Sequence, residues 1–314
     1  MPQMNLARIV VVRGGALGDG VVTLPAIHSL TAGSPQAQLG IIGSPHLQRL
    51  AMPEVFIDQG STACTWLFAD GTEVDDDSPT GQLLARADLV LAYTPHGCDS
   101  AFSRNLQAVC SGDLLHWDPR PKKKDCHIVD HLLAPLQQAG MTTSTRIPSI
   151  QLTESDRTRG ETIMAERREE QPLVLLHPGS GGADKRWPLQ SFQVLAEQLT
   201  GDGLSCAMIC GPAEDTDSQI KPTSEVALIR QDCLSDLIAL SAAADLFVGN
   251  DSGPGHVAAA VGTPTITLFG PTNPAIWRPL APYSHVVNAP DGALELLEVA
   301  DVRRAALSML SDGA

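Results

Sequence analysis

Three loops hold most of the residues able to do chemistry. The first, Gly249-Asn250-Asp251-Ser252-Gly253, breaks an apolar run and is followed by Pro254, His256 and a stretch of small residues. A helix starting there presents unpaired N–H groups and the positive end of its dipole, which attract phosphate. A tight turn between strand and helix is the plain alternative. The second loop, His177-Pro178-Gly179-Ser180-Gly181-Gly182-Ala183-Asp184-Lys185-Arg186, has three glycines that let backbone approach an anion and two cations beside a helix start. It reads as a phosphate cradle, although the GxxxxGK[ST] pattern is absent. The third loop is Gly14-Gly15-Ala16-Leu17-Gly18-Asp19-Gly20. Asp19 there reads either as an acid that caps a helix and complements its dipole, or as a general base. Glu214, in the exit loop of another apolar run, points toward the same kind of edge. The block Pro119-Arg120-Pro121-Lys122-Lys123-Lys124 is basic in an acidic chain. It reads as a solvated loop, or as a site for an anionic substrate or lipid headgroups.

These loops need elements to position them. Apolar runs predict strands over 8–12, 38–43, 55–58, 87–93, 173–176, 204–210, 246–248 and 265–269. Helical spacing predicts helices over 21–29, 101–109, 127–138, 153–168, 234–243, 256–261 and 293–310. One more starts at Pro45, and another runs from Trp187-Pro188 through 199. Pro254 suits a first helical position. Residues 60–81 show no clear pattern, and Asp75-Asp76-Asp77 within them reads as a solvated loop rather than a metal cluster. The polar stretch 142–171 is the expected connection between two domains, 1–150 and 151–314. Strands alternating with helices in each half predict βαβ units, with ligand loops at the carboxyl ends of the strands.

Composition narrows the classes. The 314 residues suit two domains, and 43% apolar residues can build real cores. A formal net charge of −15 argues against a nucleic-acid-binding face. No apolar run approaches the ~20 residues of a membrane span. Residues 1–5 lack the start of a secretory signal, so a cytoplasmic protein is expected. Seven cysteines without a CxxC pair indicate neither a disulfide framework nor a zinc ribbon, and Cys206 and Cys210 read as core thiols. The glycines at 14–20 do not fit GxGxxG after a strand, which weakens a dinucleotide oxidoreductase.

Taken together, the stretches 8–27, 173–192, 210–214 and 245–274 resemble family 9 glycosyltransferases, the lipopolysaccharide heptosyltransferases. The motifs are RIVVVRGGALGDGVVTLPAI, LVLLHPGSGGADKRWPLQSF, CGPAE and DLFVGNDSGPGHVAAAVGTPTITLFGPTNP, in family order over most of the chain. The resemblance implies a GT-B-like α/β fold, with two Rossmann-like domains facing across a cleft. The first would take the acceptor and the second the nucleotide-sugar donor, usually ADP-heptose. The last helix, about 293–312, would cross back to the first domain. By resemblance, Asp19 matches the catalytic base. Ser180, Gly181 and Lys185 lie in the donor-phosphate loop, and Glu214 matches an acid near the nucleoside. Asp251, Ser252, Gly253 and His256 match the sugar- and diphosphate-binding loop. Gly14-Gly15 departs from the bulkier family residues, and Lys122, Lys123 and Lys124 are the basic candidates for an anionic glycan or lipid-linked acceptor.

The implied reaction is an inverting sugar transfer that needs no metal or other cofactor. Peripheral contact with the cytoplasmic face of the inner membrane and no nucleic-acid partner complete the expectation. A GT-B nucleotide-sugar epimerase and a non-catalytic nucleotide-sugar binder are the alternatives. Asn caps a helix about as well as Asp. Asp19→Asn is therefore expected to keep a near-native melting temperature.

Overall fold

The hexapeptide Arg8–Arg13 forms β1, and its four central residues are all buried. A continuous apolar run suits a parallel strand covered on both faces. The computed structural model describes residues 6–71, 75–95, 100–122, 126–164, 171–211, 226–231 and 233–312. The chain divides into two units, Met1–Pro148 and Ser149–Ala314.

In the first unit, β1 lies at the centre of a five-stranded parallel sheet. Its neighbours are β2 (Gln38–Gly43), β3 (Val55–Asp58), β4 (Leu89–Tyr93) and β5 (Asp113–Trp117), in the order β3-β2-β1-β4-β5. Val10 lies between Gly40 of β2 and Val90 of β4. The helices are α1 (Leu17–Gly33), α2 (His46–Ala51), α3 (Thr65–Phe68), α4 (Pro79–Ala85), α5 (Ala101–Val109) and α6 (Ile128–Gln138). Val10, Val12, Val90 and Ala92 pack with Trp66, Leu67, Leu84, Phe102 and Leu106 in one core.

The second unit carries β6 (Leu173–His177), β7 (Ser205–Cys210), β8 (Ala227–Arg230), β9 (Leu246–Asn250), β10 (Thr265–Phe269) and β11 (Ser284–Asn288). Their order is β11-β10-β9-β6-β7-β8, again all parallel. The helices are α7 (Glu154–Met164), α8 (Leu189–Gly201), α9 (Leu234–Ala243), α10 (Gly253–Ala260), α11 (Pro274–Trp277) and α12 (Val299–Asp312). In both sheets the chain builds outward in one direction and then restarts on the other side of the first strand. The switch points lie between β1 and β4 and between β6 and β9, where open α/β sheets bind ligands.

The α/β class with two parallel sheets is as expected, and several details differ. β5, β8 and β11 were not read from the sequence, and α3 and α4 occupy part of the patternless stretch 60–81. Asp75 there accepts the Ser78 N–H at 3.0 Å, just ahead of α4, as a turn residue does. The expected helix over 293–310 is instead a 3-10 turn, Leu294–Leu296, followed by α12. Leu297 is extended between them, and its carbonyl accepts the Trp187 indole N–H at 3.0 Å. α12 buries Val302 and Ala306 in the second unit's own core and packs on α8. Cys206 and Cys210 are buried, and burial pushes the Cys206 thiol up to about 11. No described helix is long and apolar enough to cross a membrane.

α7 and α9 approach closely because Gly160 has no side chain. A Cβ there would lie 2.7 Å from the Ala239 carbonyl oxygen. Gly160→Ala should gain about 1 kcal/mol in helix propensity and lose more to the clash, typically about 1–3 kcal/mol. The expected outcome in urea denaturation is net destabilisation. A stabilised variant would mean that the two helices do not touch at this point.

Candidate functional site

The second unit's switch point gathers the loop after β6, the start of α10 and the loop after β10. Asn250 ends β9 with no exposure, and its amide works in both directions. Its Nδ2 donates to the Pro178 carbonyl at 2.8 Å, and its Oδ1 accepts the Trp187 N–H at 2.9 Å. Loop 179–186 is thus tied to the sheet at both ends. Within it, Arg186 Nε donates to the Ser180 carbonyl at 3.0 Å, and Ser180 Oγ donates to the Asp251 carbonyl at 3.2 Å. Lys185 Nζ lies 3.4 Å from Asp251 Oδ2. Thr272 Oγ1, from the loop after β10, donates to the same oxygen at 2.7 Å.

Ser252 is the N-cap of α10, with Gly253 its first residue and Pro254 its second. Pro254 is therefore one position later than the sequence suggested. Ser252 does not cap: its hydroxyl makes no bond to the helix, and the buried oxygen has no partner among the described residues. His256 is buried in the first turn of the same helix. Gly181 is exposed in the β6 loop. The structure therefore brings Ser180, Lys185, Asp251 and Ser252 to one place, with Gly181, Gly253 and His256 on the same loops. Glu214 lies outside the described residues. Asn250 and Thr272 were not among the expected site residues. Asn250 was visible as a polar residue ending an apolar strand, whereas nothing in the sequence marked Thr272.

In the first unit, Gly15 has a φ of +112°, a backbone that L side chains rarely adopt. This turn leads into α1, whose N-cap is Ala16. Asp19 stands three residues inside the helix and reaches back, its Oδ2 accepting the Ala16 N–H at 2.9 Å. Its Oδ1 accepts Arg13 Nη2 at 2.9 Å. Arg13 is only 4% exposed, while the Asp19 side chain is 36% exposed. Arg13 Nε also donates to Thr23 Oγ1 at 3.1 Å, and its guanidinium lies 5.8 Å from the Tyr93 ring centre. Burial pulls the Arg13 pKa down, against the opposing pull of Asp19.

The capping role and a charge-holding role therefore coexist at Asp19. The near-native melting temperature expected of Asp19→Asn left out the second donor, Arg13. An amide NH2 would face one of two donors, Arg13 or the Ala16 N–H, and Arg13 would lose its counter-charge. Arg13 was missed, although a lone arginine closing a buried strand was its signal. His46, at the start of α2, packs against Gly20, where a Cβ would come within 2.7 Å of its ring. Its Nε2 is buried without a partner among the described residues. Desolvation pulls the pKa of His46 down, and does the same to His28 and His116.

Within the basic block, Arg120 turns onto the end of β5. Its N–H and its Nε donate to Asp118 Oδ1 at 3.0 and 3.2 Å. Desolvation raises the Asp118 pKa, but the bonds to Arg120 outweigh it and hold the carboxyl low. Lys122 is exposed, and Lys123 and Lys124 lie outside the described residues. No group of three His, Cys, Asp or Glu side chains is placed to hold a metal among the described residues.

Residues 113–301 match the profile of Glycosyltransferase family 9 (heptosyltransferase). The chain is 30% identical over 162 residues to lipopolysaccharide heptosyltransferase 3 of Escherichia coli K12, covering 49% of this chain and 46% of that protein. The chain spans less than half the length of the curated relatives it matches. The crystal structure of a family 9 glycosyl transferase from Veillonella parvula is similar at a TM-score of 0.80 and 20% identity, over 98% of both chains. The E. coli ADP-heptose lps heptosyltransferase II gives 0.75 and 20%, over 98% of this chain and 99% of that one. At this identity the likeness is one of fold.

Two outcomes test these sites. Asn250→Ala leaves the Trp187 N–H and the Pro178 carbonyl unpaired away from water, and should cost about 2–4 kcal/mol by denaturation. A loss under about 0.5 kcal/mol would mean that the brace is not made. The second outcome concerns the three histidines, partly buried rings whose pKa desolvation lowers from an ordinary value of ~6.5 once unfolded. Stability is then present above that pH and is lost as pH falls below it. Core amides of the first unit should lose exchange protection at about pH 5 relative to about pH 7.5, less so in His46→Gln. Unchanged protection would refute the lowered histidine pKa values.

Proposed function

Because the chain belongs to glycosyltransferase family 9, we propose that it moves a heptose from ADP-heptose onto a lipopolysaccharide-core or related glycan acceptor. One observation carries this reading. α10 begins without a side-chain cap, its N-cap hydroxyl idle, beside a lysine bound to the preceding residue. Such a helix start has N–H groups in need of an acceptor, and a diphosphate supplies the matching charge. Two of the proteins named above are lipopolysaccharide heptosyltransferases of Escherichia coli, one of them solved as an ADP-heptose enzyme, which supports heptose and ADP as the donor's parts.

The second unit holds the donor in this proposal. Lys185 and the first N–H groups of α10 meet the diphosphate, with Ser180, Gly181, Ser252, Gly253 and His256 lining its loops. Glu214 takes the nucleoside end. Negative charge growing on the leaving diphosphate is met by these fixed groups, so the proposal needs no metal. The first unit takes the acceptor, with the Lys122–Lys124 segment as its anionic contact and as a contact with the cytoplasmic face of the inner membrane.

Asp19 is the general base. It accepts the proton of an acceptor hydroxyl as that oxygen bonds to the anomeric carbon. The bond from that carbon to the diphosphate breaks, and ADP leaves with the electron pair. A single displacement of this kind inverts the anomeric configuration. Arg13 and the Ala16 N–H keep the carboxylate aimed, each taking one lone pair and leaving others for the proton.

Asp19→Asn tests the proposal. The variant should melt earlier than wild type, since an amide cannot accept from both donors. It should still bind ADP. Per folded molecule, transfer from ADP-heptose should fall about 10²–10⁴-fold. Turnover within about tenfold of wild type in the folded fraction would remove Asp19 as base and leave it a helix-start residue.

A further inference from the structure

Asp251 is an acid placed where the proposal above puts an anion. Its side chain is 9% exposed, so water screens its charge poorly. A diphosphate arriving beside it meets a like charge unless that charge is offset. Two groups offset it, both on Oδ2: Thr272 Oγ1 at 2.7 Å and Lys185 Nζ at 3.4 Å. The neutral contact is the short one. A charge-assisted N–H···O bond usually measures about 2.7–2.9 Å, so the lysine is held loosely. An ammonium has three donors, and that of Lys185 makes no other hydrogen bond among the described residues. Its side chain is 35% exposed.

The loop that delivers Thr272 is anchored on both sides. β10 ends at Phe269, which is buried. Asn273 caps α11 by accepting the Ala275 N–H at 2.9 Å. The hydroxyl between these anchors has a fixed target.

We propose that Thr272 is a positioning residue for the nucleotide-sugar donor: its hydroxyl satisfies the Asp251 carboxylate and so releases Lys185 to the diphosphate. The inference rests on the reading of this loop cluster as the donor site. Thr272 need not touch the donor. It sets how strongly Asp251 competes with phosphate for the one ammonium.

ADP titration calorimetry on the full chain tests this. Thr272→Val keeps the bulk and removes the hydroxyl. Its Kd for ADP should rise about tenfold, as for loss of a hydrogen bond to a charged group. Thr272→Ser restores the hydroxyl and should bind within about twofold of wild type. If the effect runs through Lys185, adding Thr272→Val to Lys185→Ala should weaken binding by less than about twofold more. A purely structural role for Thr272 would make the two losses multiply. Should the valine variant not fold, Thr272→Ala removes the same hydroxyl and carries the same expectation. The inference is overturned if the hydroxyl-deleted variant binds ADP as wild type does, or if its loss multiplies with that of Lys185→Ala. Wild-type protein that binds no ADP would sink the donor reading itself, and this inference with it.

Discussion

Asn250 ends β9 where no water reaches it, and its amide joins two stretches of chain that the fold would otherwise leave apart. A polar side chain in a dry layer is tolerated only when each polar atom is matched. Pro178 and Trp187 provide the two matches, one on each side of the loop that carries Ser180 and Lys185. Trp187 passes the constraint on. Its indole N–H binds the Leu297 carbonyl, and its ring meets Phe192 edge-on at 4.9 Å between centroids. The start of α8 and the entry to α12 are therefore set by the same side chain that sets the loop.

The first unit solves a different problem. Arg13 is a cation almost without solvent at the carboxyl end of the central strand. Removing a partner from such a group costs far more than the pair contributes when intact. Asp19 is thus fixed in direction by the need to satisfy Arg13. The helix start gains from the same carboxylate, because the Ala16 N–H would otherwise lack an acceptor. The two units thus differ in what they expose. The first presents an acid whose charge is balanced from behind, and the second presents a helix start that its own N-cap side chain does not cap.

Much of this was legible in the sequence, and the omissions have a physical pattern. Central parallel strands such as β1, β6 and β9 are covered on both faces and read as apolar runs. β5, with Asp113 and His116, and β11, with Ser284, His285 and Asn288, lie at sheet edges and are partly exposed. Their one-sided burial mixes polar residues into the run, and the strand signal is lost. The glycine-rich loops were visible because backbone freedom is written in residue type. The residues that complete the sites were not. Thr272 matters only because a loop returns it to Asp251, 21 positions earlier. No local pattern encodes that return. The near-native melting temperature expected of Asp19→Asn took no account of Arg13, for the same reason.

The edges of the two sheets bear on how the chain behaves at high concentration. Among the described residues, β3, β5, β8 and β11 each leave one side of their backbone without a partner strand, which is a template for joining another molecule. They are only four or five residues long. Asp58, Asp113, Arg230 and His285 each place a polar or charged side chain in one of them. Short, polar edges resist stacking into intermolecular sheets, and a net charge of −15 keeps copies apart before their edges can meet. The same polar residues that hid β5, β8 and β11 from sequence reading are thus the kind that guard a sheet edge against intermolecular pairing.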